Sequence, residues 1–343
     1  MCSLPTLPLI AANGGLTKEG YATRMSTHTD NAQVAQSIEE VMRGELAHGD
    51  VILATARPIL RHLLANDDHA LFSDEVIAKV RGMMVHLARQ LLMAVAGEAE
   101  IEDRGAFADE KQHAVAQMFL EDTAFLGHAH ALTIEAQLAD RLQERSGVDA
   151  VLSPLLQELT ASSDADIAGA AMHLIAAQAR FMQQARRMEL PLSELPAELF
   201  HACSQALRAH SDGHFEASEA VVERLRSDFN ESNRRVGQAT RLLVAMRTDA
   251  KRALDVDHAG LSLFATALSM AAEQERDVAV LSMGENQSAR LALTMRAAGL
   301  NQAAVEQQFL YLHPELTLPT DFGTLRADQA AAMLAASSPD FAQ

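Results

Sequence analysis

Residues 73–97 read SDEVIAKVRGMMVHLARQLLMAVAG, and this stretch decides the fold. Ser73 is a good helix N-cap. Asp74 and Glu75 follow in the first turn, where carboxylates face the positive end of the helix dipole. Apolar side chains then recur at Val76, Ile77, Val80, Met83, Met84, Leu87, Leu91, Leu92 and Val95. That spacing keeps to one face of a helix with about 3.6 residues per turn. Gly97 stands where a C-cap belongs. The segment predicts an amphipathic core helix of about six turns.

Working outward, the same reading predicts helices over 32–46, 51–65, 107–119, 122–144, 149–160 and 165–188. It continues over 194–209, 215–228, 232–248, 258–271, 274–282, 286–298 and 302–311, with a short helix near 326–336. Asp164 is expected to start the helix that carries Ala168, Gly169, Ala170 and Ala171, small residues that admit a close neighbour. Gly299 ends one helix and Asn301 caps the next. Ala, Leu, Glu, Gln, Arg and Met are abundant, and all are strong helix formers. Trp is absent and Tyr occurs twice, which leaves little material for strands. The expected fold class is all-α, either a helical bundle or a degenerate helix-pair array of the HEAT-like kind, with no β-sheet.

Punctuation divides the chain. Residues 1–30 hold Pro5, Pro8, Gly14, Gly15 and Gly20 without periodicity and read as a disordered leader, with Met25 as a possible later start. An N-terminal helical region is expected over 31–190 and a C-terminal one over 191–312, with a loose tail over 313–343. The boundary is the turn LPLSELP at 190–196, where Pro191 stops one helix, Ser193 caps the next and Pro196 enters its first turns.

Two further groups of residues carry a resemblance. The first is Gln178–Met182 with Leu190-Pro191-Leu192 and Leu195–Phe200. The second is Gly260–Phe264 with Arg296–Leu300. Together they resemble an all-helical alphaproteobacterial family of unknown function that is loosely HEAT-repeat-like, most strongly over residues 150–310. The resemblance rests on packing and turn motifs. It implies a helical scaffold in a bacterial cytosol and brings no catalytic residue.

The charge balance narrows the partners. The 343 residues hold 28 Lys and Arg against 46 Asp and Glu, a net charge of −18. Such an excess of acid argues against sequence-independent nucleic-acid binding, which needs clustered cations on phosphates. No apolar run approaches the length that spans a bilayer, so neither nucleic acid nor membrane is an expected partner. The two cysteines, Cys2 and Cys203, fit a reducing compartment, and a cytoplasmic location is expected. The first basic residue is Lys18, and Pro8 interrupts the early apolar stretch, unlike a secretory signal.

The sequence carries no phosphate loop, dinucleotide glycine fingerprint, His-Glu-x-x-His or nucleophile elbow. Residues 255–260 begin like a calcium loop, but Ala259 and Thr266 lack the required oxygens, and Asp257 is expected to cap a helix. Cys203, His210 and His214 have a spacing that would share one helical face, with ligand types suited to zinc. Ser211-Asp212-Gly213 interrupts that face, so the alternative is a buried Cys203, a His210 at a helix C-terminus and a surface His214. Glu121, His128 and Glu135 form a seven-residue ladder with His130 nearby. It lacks the paired Glu-x-x-His of a di-metal bundle and reads as a polar edge beside Phe125 and Leu132. His86 falls roughly 130° from the apolar stripe of its helix and should face solvent with Arg89, as a phosphoacceptor histidine would. Met83, Met84, Met172, Met182 and Met188 read as core fillers, with a binding groove as the other possibility.

No catalytic, cofactor-binding or metal residue is assigned, and no cofactor is expected. The expected function is a non-catalytic protein–protein interaction scaffold, regulatory in one form, with an unidentified protein partner and room for a homo-oligomer. The alternatives are a phosphorelay component using His86 and a metal-binding helical protein using Cys203, His210 and His214.

Overall fold

The computed structural model describes residues 37–66, 74–210, 213–284 and 287–337. The expected leader at 1–30, Cys2, Ser73 and Ser211-Asp212 lie outside the described residues. The chain is all-α, and no strand occurs among the described residues. None of their helices is long and apolar enough to cross a membrane.

The first helices are α1 (Ile38–Asn66), α2 (Asp74–Glu98), α3 (Arg104–Glu121), α4 (Thr123–Ser146) and α5 (Pro154–Thr160). Next come α6 (Ala165–Arg186), α7 (Ala197–Ala209), α8 (Phe215–Asp228), α9 (Arg235–Met246) and α10 (Val256–Ala271). The last are α11 (Arg276–Ser282), α12 (Ser288–Ala297), α13 (Gln302–Leu312) and α14 (Ala327–Ala336). Short 3-10 turns fall at 192–194, 231–233, 247–254 and 322–324.

In α2 every residue of the apolar stripe is buried. The helix packs along α3 and also meets α4 and α8. Gly97 lies inside the helix instead of capping it, and Glu100 takes the left-handed conformation (φ 53°) just beyond.

Other expectations need correction. The separate helices over 32–46 and 51–65 are one helix of 29 residues. Met42, Leu46, Leu53, Leu60, Leu63 and Leu64 keep a buried stripe running through it. The polar Gly49-Asp50 step is accommodated by outside partners. Gln287 Nε2 donates to Gly49 O at 2.9 Å, and the buried Arg290 pairs with Asp50 and donates to Ser337 O at 2.8 Å. This ties α1 to α12 and to the end of α14.

The helix over 149–160 begins only at Pro154. Asp149 Oδ1 accepts the amides of Val151 and Leu152 at 2.8 and 2.7 Å, a local turn that competes with helix, and Ser153 then caps α5. Asp257 does not cap α10. It sits in the first turn and accepts from Tyr311 Oη at 2.7 Å, while Gly260 (φ 72°) kinks the helix. Ser193 is exposed in the 3-10 turn, and Pro196 occupies the N-cap position of α7. Asp164 and Asn301 do cap α6 and α13, accepting from Ile167 N and Ala304 N.

One apolar cluster runs from Met42 to Leu334 and joins side chains from 31–190 with those from 191–312. Residues 313–337, expected within a loose tail, contribute Phe322, Leu325, Met333 and Leu334 to it. The central element is α4. Every residue from Phe125 to Thr133 is buried, so the helix is covered on all sides. It contacts α1, α2, α10 and α11 among others.

At Gly237 in α9 a Cβ would lie 2.5 Å from the carbonyl oxygen of Glu231 and 2.9 Å from Ser232 Cα. The 231–233 turn rests on bare helix backbone there. Gly237→Ala is expected to lower stability by about 1–3 kcal/mol through overpacking. That exceeds the roughly 1 kcal/mol that alanine returns in helix propensity. The urea unfolding midpoint measures it.

Candidate functional site

A cleft of about 700 Å³ opens between α1, α4, α9, α11 and the segment joining α6 to α7. Its apolar wall includes Leu132, Phe181, Leu190 and Leu199, and its polar groups include Arg57, His128, Arg234, Arg235, Arg276 and Asp277.

Behind the floor lies Glu135, only 1% exposed, with a guanidinium on each side. Arg235 donates Nη1 to Oε1 at 2.6 Å and Nη2 to Oε2 at 2.9 Å. Arg276 donates Nη1 to Oε2 at 2.8 Å and Nη2 to Oε1 at 2.7 Å. Both pairs are bidentate, the geometry that favours arginine over lysine. Further contacts hold the same guanidiniums. Arg235 Nη1 reaches Ser262 Oγ at 2.6 Å, and Arg276 Nε reaches Thr266 Oγ1 at 3.0 Å. The Arg235 guanidinium also covers the Phe181 ring at 3.9 Å. Burial works to raise the Glu135 pKa, but the two guanidiniums outweigh it and hold the carboxyl far below its usual range.

The cations are placed by local structure. Arg234 and Arg235 stand where the 231–233 turn gives way to α9. Arg234 donates Nε to Glu194 O at 2.9 Å and Nη1 to Glu231 Oε1 at 2.6 Å. The Arg235 amide donates to Glu194 Oε2 at 3.0 Å, which ties the α6–α7 segment to α9. Arg57 lies across α4 at Gly127, where a Cβ would come within 2.5 Å of its Nε. Glycine leaves that space without displacing the guanidinium.

The buried His128 pairs with the half-buried Asp277, with Nδ1 2.7 Å from Asp277 Oδ2. Burial works to raise the Asp277 pKa, yet His128 and Arg276 outweigh it and keep the carboxyl below its usual range. An ionised carboxylate only accepts, so Nδ1 carries the hydrogen. Nε2 has no hydrogen-bond partner, although His128 is 6% exposed and lines the cleft. His130, two residues on, differs. Burial and the Arg57 charge push it down to about 4, so it stays neutral at pH 7.

The structure relocates most residues singled out in the sequence. The ladder is not a polar edge. Glu121 is exposed at the end of α3, whereas His128, His130 and Glu135 are buried in α4. A helix packed on all sides leaves no solvent edge for them. His86 is half-buried instead of solvent-facing, because the chain leaving α6 folds over that flank of α2. Its Nδ1 accepts the Leu190 amide at 3.0 Å, and Gln90 brackets the same segment through Leu190 O and Leu192 N. Leu190 and Pro191 line the cleft, so His86 and Gln90 hold part of its wall in place.

Cys203 is buried, and burial with Asp122 nearby pushes its thiol pKa up. His210 lies at the C-terminus of α7. His214 precedes α8 and meets the Phe107 ring edge-on at 5.5 Å, half-buried where a surface position was expected. Among the described residues no three His, Cys, Asp or Glu side chains gather as a metal site. Met83, Met84 and Met182 fill the core, whereas Met172 and Met188 are exposed.

Arg57, Arg234, Arg235, Arg276 and Asp277 were not singled out in the sequence. The usable signal was α4 itself. Gly127, Ala129 and Ala131 alternate with His128, His130 and Leu132, a run too small and apolar for one polar face. Buried charges there require partners, and arginines are the usual ones. No family model, no curated protein and no solved structure matches the chain.

Two outcomes follow from these charges. Glu135→Gln leaves two guanidiniums facing a neutral amide and is expected to cost about 3–5 kcal/mol in urea unfolding. His130 goes from an ordinary 6.5 to about 4 on folding, so the unfolded chain binds the extra proton between those values. Stability is therefore expected to fall by about 3 kcal/mol as pH drops from 6.5 to 4. His130→Gln should remove that part of the slope, as read from urea midpoints across the range.

Proposed function

We propose that this protein is a non-catalytic helical scaffold of the cytoplasm, and that its working site is the cleft, which binds a small ligand bearing an anionic group. The observation that carries this reading is the convergence of Arg57, Arg234, Arg235 and Arg276 on one concavity, which Glu189, Glu194, Glu198, Glu275 and Asp277 also line. A guanidinium attracts an anion at short range, and the lining carboxylates offset the summed charge of the four. Arg235 and Arg276 share the single charge of Glu135, so that triad taken by itself carries one positive charge.

The cleft's size and its mostly apolar wall with few convergent polar groups suit a small molecule. This reading differs from the protein–protein interaction scaffold expected from the sequence, in that the helices hold a pocket in place of a broad docking face. Two cysteines and the acidic balance support the cytoplasmic setting.

Thermal unfolding in inorganic phosphate and in succinate tests the proposal. Ligand at about one hundred times its dissociation constant should add roughly 2.7 kcal/mol, a shift of a few degrees in Tm. The shift should vanish in the double variant Arg57→Met, Arg234→Met. Equal shifts in wild type and the double variant, or none in wild type with either anion, would count against the cleft as an anion site.

A further inference from the structure

We infer that Met188 is a reversible oxidation site, and that a hydroperoxide acting on its thioether loosens the segment that forms one wall of the cleft. The inference stands whatever the cleft binds.

The backbone at Met188 favours glycine. Helix α6 ends in a Schellman turn, in which the Glu189 amide donates to Gln184 O at 2.9 Å and the Met188 amide to Ala185 O at 3.3 Å. That turn holds Met188 in the left-handed conformation (φ 59°), where glycine is the usual occupant. A side chain there costs backbone energy. Packing on α2 offsets it. At Gly82 a Cβ would lie 2.5 Å from Met188 Cβ and 3.1 Å from its Sδ, so the thioether rests on bare helix backbone.

That contact is the first of three in register. Met188, Leu190 and Leu192 meet Gly82, His86 and Gln90, which succeed one another turn by turn on α2. Two residues of extended chain advance about 6–7 Å and four residues of helix about 6 Å, so the strap stays aligned with one helix face. His86 and Gln90 hold it by hydrogen bonds, whereas Met188 anchors its start by packing. Leu190 and Pro191, further along the strap, line the cleft.

Met188 is 38% exposed, which admits a small oxidant. A sulfur lone pair takes the terminal oxygen of the hydroperoxide as the O–O bond breaks. Sulfur is oxidised by two electrons, and the peroxide is reduced to water or an alcohol. The sulfoxide is bulkier and strongly polar, so it no longer fits as an apolar group against α2. A thiol-dependent methionine sulfoxide reductase returns the thioether and releases the oxygen as water. Met172 and Met270 are also exposed (55% and 41%), but they lie within α6 and α10, away from the strap in sequence.

Graded hydrogen peroxide, followed by peptide mass mapping and amide hydrogen exchange, tests the inference. Oxidation at Met188 is expected to make the Leu190 and Leu192 amides exchange roughly tenfold faster. Methionine sulfoxide reductase should restore the slow rate. Met188→Leu keeps an apolar side chain without sulfur, and its exchange should stay slow at every dose. The double variant Met172→Leu, Met270→Leu should respond as the wild type does. Three results overturn the inference. They are no oxygen gained at Met188 once Met172 and Met270 are fully oxidised, unchanged exchange after Met188 has gained it, and acceleration by peroxide that persists in Met188→Leu. If untreated Met188→Leu already exchanges fast, the reductase decides, and failure to restore slow exchange in the oxidised wild type overturns the inference.

Discussion

The structure around the cleft depends on one carboxylate. Glu135 is buried at the middle of α4 and receives four hydrogen bonds from two guanidiniums that arrive from different directions, Arg235 on α9 and Arg276 on α11. An ionised carboxylate cannot stay in an apolar interior alone, and neither can an arginine. Each of the three groups is tolerable because the other two are present. Their contact therefore fixes where two separate helices begin relative to a third. Arg235 and Arg276 also line the cleft, so the interaction that locates the helices shapes that wall as well.

This explains why α4 carries so much polarity while lying at the centre of the fold. A helix covered on all sides has no wet face for His128, Thr133 or Glu135. Each is given an internal partner. Thr133 bonds back to Ala129 O at 2.8 Å, Glu135 takes the arginines and His128 takes Asp277 on one nitrogen. The remaining nitrogen of His128 is an exception, a buried polar atom without a partner.

The helical character was legible in the sequence because helix period and propensity are local properties. The α2 stripe lies buried as its spacing demands, and the caps at Asp164 and Asn301 form as read. What the sequence hid was set by distant partners. Gly49-Asp50 looks like a break, yet Gln287 and Arg290, far along the chain, satisfy it inside a continuous helix. His86 looks exposed on a helical wheel, but a wheel cannot know that residues 188–192 will cross that flank. The cleft was illegible for the same reason. Its arginines lie far from Glu135 in sequence, and nothing local distinguishes Arg276 from a surface arginine. Only the neighbouring small residues of α4 hinted that charges there would need company.

His128 and His130 show how fine that dependence becomes. They are two residues apart on one buried helix and differ in which charge they meet. His130 meets the Arg57 cation, which reinforces burial in keeping the ring neutral. His128 meets the Asp277 carboxylate, which orients the ring and fixes the hydrogen on Nδ1. Successive positions on a helix point about 100° apart, so a step of two residues turns a side chain through most of a half-circle, from one neighbouring helix to another. One imidazole is thereby kept neutral near the Arg57 cation, and the other is held by the Asp277 carboxylate. Burial alone would have made them alike. The difference arises because Gly127 lets the Arg57 guanidinium lie against the helix backbone, and because α11 begins with Arg276-Asp277, which presents a cation to Glu135 and an anion to His128 in adjacent residues.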